Sequence, residues 1–520
     1  MLTIEHLCVI IFDNIRNYLP MCVKRGDIMA FTTQIFTFIF LPFCVLTYFL
    51  VDRLSALKRL SKIRAKDLIL IVFSLGFYSW TCFDNVFRLC VYIIFIYILA
   101  LFIVNTKNKN RYILINSETE QKKFYFYKVP FAIAIVSVLF FLIYYNYHDF
   151  LIEVWNSALG DSLTPKSIAG PLGLSFITFS AISYLVDIYR GDTQKGSLID
   201  CFLYITFFPK IISGPIVLYK DFKAQIGSRK CDTDKFISGI NRIIIGFAKK
   251  LILADTFGIC LSKIGVTYID SITAIGTVIL YMLQIYYDFA GYSDIAIGVS
   301  KLFGFEFKEN FNFPYRSKSI SEFWRRWHIS LCTWFREYVY FPLGGSRAGL
   351  KRTLFNLGVV FALTGIWHGA GWNYIIWGAI NGGLVILERV IKDKHFYDKT
   401  PNFVKYIITM LIVMSFWQLF KYENLGDIGN LFKTAFGINK FDAIPFTWQY
   451  YYDFQIITLA VIGIIGATVL GSPKIKMLQA KIVTSKIGYV VEEIILLAMF
   501  ILAVLFMINS AYSPFIYFQY

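Results

Sequence analysis

Charge is scarce in this chain. Only 16% of its 520 residues are Asp, Glu, Lys or Arg, against about 25% in soluble proteins. A soluble chain of this length would divide into domains joined by polar linkers. No such linker is visible, which argues for one domain. The nine cysteines form no Cys-x-x-Cys pair, and most sit in apolar runs, so packing is favoured over zinc or disulfides. No internal repeat appears, which weighs against transporters built from repeated halves. There is also no basic soluble face, so the net charge of +17 does not point to nucleic acid.

Apolar residues are abundant, at 57%. Runs long enough to cross a bilayer recur along the whole chain. Candidate spans lie near residues 34–52, 67–82, 87–105, 129–147 and 172–190. More follow near 236–262, 274–300, 354–370, 373–391, 403–420, 455–471 and 491–510. The expected fold is an all-α polytopic membrane protein with about 11–13 transmembrane helices.

Positive charge falls between these runs. Arg53, Lys58, Arg59, Lys62, Arg64 and Lys66 share one loop, and Lys107, Lys109, Arg111, Lys122, Lys123 and Lys128 another. The segment from His148 to Gly170 instead carries Asp149, Glu153 and Asp161 against Lys166. The positive-inside rule places the first two loops in the cytoplasm and the third outside.

Two apolar stretches are poor simple spans. Residues 198–217 contain Phe208-Pro209-Lys210 and Ser213-Gly214-Pro215, and residues 311–346 are rich in Trp, Arg, Pro and Gly. Broken helices at membrane depth must be buried or line a wet cavity, so both read as re-entrant or interfacial pieces. Residues 1–28 lack a clear cleavage site. Arg25-Gly26-Asp27-Ile28 can be encoded by a purine-rich tract upstream of an ATG at Met29. The expectation is a non-native extension over 1–28 and a single domain over 29–520.

Of five histidines, His6 lies in that extension, and His148 and His395 sit among polar loop residues. His328 and His368 lie in apolar, Trp-rich sequence, where an ionisable group is costly. His368 stands in Thr364-Gly365-Ile366-Trp367-His368-Gly369-Ala370-Gly371-Trp372. A neutral imidazole there can take a proton from a hydroxyl; a helix-packing histidine is the alternative. Near His328, Ser319 and Glu322 have capping-box spacing. The pattern predicts one amphipathic interfacial helix with Trp324, Trp327, His328, Leu331, Phe335 and Tyr338 on its apolar face. Arg325 and Arg336 fall elsewhere, placed to bind phosphate or carboxylate or to snorkel to headgroups.

The stretches FWRRWHISLCTWFREYVYFPLGGSR and GIWHGAGWNYIIWG closely resemble the paired histidine motifs of the membrane-bound O-acyltransferases. Tyr286 to Tyr315, PLGLSFITFSAISYLVDIYRG and FFPKIISGPIVLYKDF resemble further family segments, and the likeness runs from about Met29 to Tyr520. Motifs in this order are far more specific than a lone Trp-His-Gly. The resemblance is to the branch that acetylates alginate and peptidoglycan, with teichoic-acid D-alanylation more distant.

The resemblance implies that His368 is the catalytic histidine, that His328 supports it, and that helices surround a central tunnel. It implies a multi-pass protein of the bacterial cytoplasmic membrane. The donor would be a cytoplasmic acyl thioester, acetyl-CoA or an acyl carrier protein, with no bound cofactor or metal. The acceptor would be an exported envelope glycan, reached directly or through an extracytoplasmic esterase-like partner. Where relatives often have His-Gly this chain has Asn381-Gly382, and Asn cannot accept a proton at neutral pH. The terminal Phe515-x-x-Phe518-x-Tyr520 resembles the end of the small partner protein in D-alanylation, which implies an acyl relay through Tyr520. An interfacial aromatic anchor is the alternative. D-alanyl transfer to teichoic acid, and a polysaccharide transporter using Asp294 and buried histidines, are the rival functions.

Overall fold

A computed structural model describes residues 29–57, 62–115, 128–166, 170–392, 399–439, 441 and 443–509. Among them every regular element is helical, and there is no strand. That follows from the solvent: within hydrocarbon each backbone N–H and C=O must be paired inside its own segment.

The helices that position the site are α1 (Leu41–Leu57), α2 (Lys62–Ile115), α3 (Lys128–Asn146), α4 (His148–Leu159) and α5 (Leu174–Arg190). Next come α6 (Leu198–Thr206), α7 (Phe208–Ile211), α8 (Thr233–Phe247), α9 (Ser271–Leu302), α10 (Ile320–Arg326) and α11 (Ile329–Phe335). Then follow α12 (Leu350–His368), α13 (Trp372–Ile391), α14 (Asn402–Lys421), α15 (Phe454–Thr468) and α16 (Lys486–Asn509). Among the described residues, 8 helices are long and apolar enough to cross a membrane. The protein is therefore a multi-pass membrane protein. The other expected spans are also helical, in the first part of α2, in α5, in α8 with the turns after it, and in α12.

The helical run α2 has 54 residues, far more than the roughly 20 that span a bilayer. Tyr78 donates to the Leu172 carbonyl at 3.1 Å and Lys107 to the Tyr189 carbonyl at 2.9 Å. Leu172 and Tyr189 mark opposite ends of α5. Asp67 pairs with Arg229 at 2.5 Å, and the segment leading to Arg229 is tied to Asp187 and Lys195 at the Tyr189 end. Residues 67 and 107 therefore share one face of the protein, and residue 78 lies toward the other. The chain reverses within α2, so the two spans expected there are both present.

The expected breaks in 198–217 are real. α6 ends at Thr206, α7 lasts one turn, and residues 207–216 are buried. The segment expected as a loop from His148 opens with α4, where His148 Nδ1 lies 2.8 Å from Asp149 Oδ1. Residues 1–28 lie outside the described residues.

α8 and α9 meet through glycine. A Cβ on Gly291 would lie 2.8 Å from the Gly246 carbonyl oxygen, and one on Gly298 2.6 Å from that of Gly239. Small residues let helix backbones approach and gain dispersion contact where lipid offers no hydrophobic driving force.

Candidate active site

The ordering of His328 begins at Ser319. Its side chain caps α10 by accepting from Glu322 N at 3.1 Å, while the Glu322 carboxylate accepts from Lys318 N at 2.9 Å. The expected single interfacial helix does not form. α10 stops at Arg326, Trp327 is extended, and His328 adopts the left-handed region at φ 44° before α11 starts. Asn310 makes this break affordable. Its carbonyl accepts from Ile329 N at 2.9 Å and its side-chain oxygen from Ser330 N at 3.2 Å. The first N–H groups of α11 are thus satisfied from outside the helix. The break also turns His328 inward: it is only 1% exposed, with the Phe289 ring 4.6 Å away.

His368 is the last residue of α12 and is buried. Its position follows from the contact of α12 with α13. A Cβ on Gly365 would lie 2.7 Å from the Tyr374 carbonyl and 3.0 Å from Gly378 Cα. That approach sets the imidazole against Trp377 and Phe420, each with centroids 4.9 Å away. Trp367 bridges the histidines, 4.7 Å from the ring of His368 and 6.3 Å from that of His328. The structure thus brings the two histidines of separate motifs to one aromatic chamber.

The indole N–H groups of Trp324, Trp367, Trp377 and Trp417 are buried without a hydrogen-bond partner, as is Oδ1 of Asn381. Asn381 otherwise donates to its own helix, to the Trp377 carbonyl at 2.9 Å. Buried polar groups are nearly always satisfied. Several unsatisfied donors around two buried imidazoles mark a chamber suited to a polar guest.

Two cavities approach this chamber, and α11 walls both through Ile329 and Thr333. One, of about 620 Å³, has Arg325, Arg336 and Arg389 in its lining and reaches Thr364, one turn before His368. The other, of about 630 Å³, includes Ser330, Arg229 and Lys308. Arg325 and Arg336 are thus not confined to the lipid boundary.

Sequence reading missed several buried polar groups. Lys210 donates to Ser180 Oγ at 3.0 Å and lies 4.1 Å from the Tyr204 ring centroid. Lys250 pairs with Asp255 and Asp288, each at 2.6 Å. Asp294, named as a relay candidate, pairs with Arg242 and Lys249, each at 2.6 Å. Asn310 was also overlooked, although a polar residue within the Phe-rich stretch 303–313 was a usable signal. His6, His395 and Tyr520 lie outside the described residues.

Two buried histidines from separate motifs thus meet inside a multi-pass helical protein. The profile of the membrane-bound O-acyltransferase family, MBOAT, matches residues 28–421, and the chain belongs to that family. It is an O-acyltransferase.

Among its relatives, the probable alginate O-acetylase AlgI of Pseudomonas putida is 33% identical over 522 residues, covering 95% of this chain and all of the relative. The Pseudomonas aeruginosa protein of the same name is 35% identical over 434 residues, covering 81% of this chain and 76% of the relative. The peptidoglycan O-acetyltransferase of Helicobacter pylori is 30% identical over 453 residues, covering 80% and 81%.

Proposed function

We propose that the protein moves an acetyl group from a cytoplasmic thioester to hydroxyls of an exported polysaccharide or peptidoglycan. The site would lie in the bacterial cytoplasmic membrane, with the face carrying Asp67, Lys107 and Arg229 inside the cell. The observation that carries this reading is the meeting of His328 and His368 in a chamber with unpaired donors, beside an arginine-bearing cavity. A thioester donor such as acetyl-CoA, or an acyl carrier protein, has phosphate to set against Arg325, Arg336 and Arg389. Relatives that acetylate alginate and peptidoglycan support acetyl as the group and an envelope glycan as the acceptor.

In this reading His368 takes the proton of the attacking hydroxyl. The oxygen adds to the thioester carbonyl, and nearby N–H donors stabilise the oxyanion. Collapse breaks the C–S bond, and the thiolate takes the proton back from His368. Only the small acyl group needs to pass between the openings of the tunnel, whose waist is at the histidines. O-acetyl release from envelope glycan, in a deletion strain complemented with variants, tests it. His328→Ala lowers acetylation, less completely than loss of His368.

The attacking hydroxyl belongs to the glycan or to an intermediate carrier. A carrier at the terminal Tyr520 motif is the alternative to an aromatic anchor there: a phenyl ester is more reactive than an alkyl ester and suits relay to an external esterase-like partner. Tyr520→Phe separates the two: full acetylation makes Tyr520 an anchor, whereas its loss, with an acyl adduct on wild-type Tyr520, makes it the carrier. The same motif keeps D-alanyl transfer as a second reading, favoured by a neighbouring carrier-protein gene and D-alanine ligase gene.

A further inference from the structure

We propose that Asn310 is a positioning residue that holds His328 as the Nδ1–H tautomer, leaving its Nε2 as a bare hydrogen-bond acceptor inside the chamber. One donor beside Asn310 has a fixed direction. Ser330 N–H belongs to the first turn of α11 and has no acceptor within its own helix. It lies 3.2 Å from Oδ1 of Asn310. An amide turned the other way would set NH2 against N–H, so the oxygen must face Ser330. The opposite end agrees, because Nδ2 of Asn310 donates to Ser293 Oγ at 2.9 Å.

The same oxygen lies 3.2 Å from Nδ1 of His328. An acceptor facing a bare ring nitrogen would be repelled, so Nδ1 carries the proton. Ser330 Oγ is the poorer partner for Nδ1. It lies 3.4 Å from Nδ1 but only 2.9 Å from Asn310 Oδ1, the shorter path for its hydrogen, and it accepts from Ile216 N at 3.1 Å. In neutral imidazole one nitrogen donates and the other accepts. Nε2 is therefore the acceptor. It is buried and has no hydrogen-bond partner.

This separates the chamber's roles. His328 takes a hydrogen bond from an O–H or N–H of the substrate and cannot donate one to a developing oxyanion. That task falls to N–H donors elsewhere, the unpaired indoles among them. The catalytic consequence rests on the acyl-transfer reading, but the tautomer does not.

Two measurements test it. The first is solid-state nitrogen NMR of histidine-labelled protein in proteoliposomes, with the His328 signals identified by subtracting a His328→Ala spectrum. The expected result is hydrogen on Nδ1 and a bare Nε2; hydrogen on Nε2 overturns the proposal even if the protein is a fully active acyltransferase. The second compares Asn310→Asp with Asn310→Leu in a transfer assay. A carboxylate still accepts from Nδ1–H and Ser330, and the Ser293 hydroxyl can rotate to donate, so Asp preserves the tautomer as it does in Ser-His-Asp triads. Asp is expected to retain kcat within about tenfold, while Leu lowers kcat by about 100-fold with little change in KM. An Asp variant as inactive as Leu, with both folded, overturns the proposal. If Leu does not fold, the spectrum and the Asp variant still decide. An active His368→Ala enzyme with the Nδ1–H signal intact would sink the acyl-transfer mechanism alone.

Discussion

α9 and α16 are both long membrane helices, but they dissolve in different solvents. In their most apolar windows 72% of α9 is buried inside the protein and 17% of α16. Mean hydropathy runs the other way, 1.3 for α9 and 2.6 for α16. The less hydrophobic helix is the inner one. Lipid tolerates only apolar faces, whereas an inner helix can carry polar groups that find partners in protein. α9 carries Asp288 and Asp294 in ion pairs, Ser293 bonded to Asn310, and Phe289 against His328. α16 exposes Ile494, Leu497 and Ile501 instead.

The contrast can be broken first at charge. Lys250→Leu leaves Asp255 and Asp288 buried without their shared cation. The expected cost is about 3–5 kcal/mol, seen as a lower thermal transition in detergent. A wild-type transition would mean that these carboxylates are solvated. Packing comes next. Gly291→Leu puts a side chain where a Cβ already lies 2.8 Å from the Gly246 carbonyl. About 1–3 kcal/mol should be lost, again by thermal unfolding. The smallest effect belongs to α16: Leu497→Ala on its exposed face should shift stability by about 0.5 kcal/mol or less. A larger loss would show that α16 packs against something other than lipid.

Much of this architecture was legible because hydropathy reports the solvent of each helix. The spans, the break around Phe208-Pro209 and the apolar setting of His328 and His368 were all visible in the chain. The turn at His328 was not. Apolar residues keep helical spacing straight through Trp327 and His328, and the break is stabilised by Asn310, 18 residues upstream. The partners of Lys250 were hidden for the same reason: Asp288 lies in another helix, and only folding sets them 2.6 Å apart. The chamber itself is a property of four separated segments, carrying His328, His368, Trp377 and Phe420.

The account stands or falls on the imidazole at the end of α12. The direct measurement is transfer of labelled acetyl from a thioester by purified His368→Ala in proteoliposomes, against wild type and with folding checked by thermal unfolding. Loss of a positioned general base predicts a fall in rate of about 100- to 10,000-fold with the transition preserved. A folded His368→Ala protein that transfers acetyl at the wild-type rate would contradict the account.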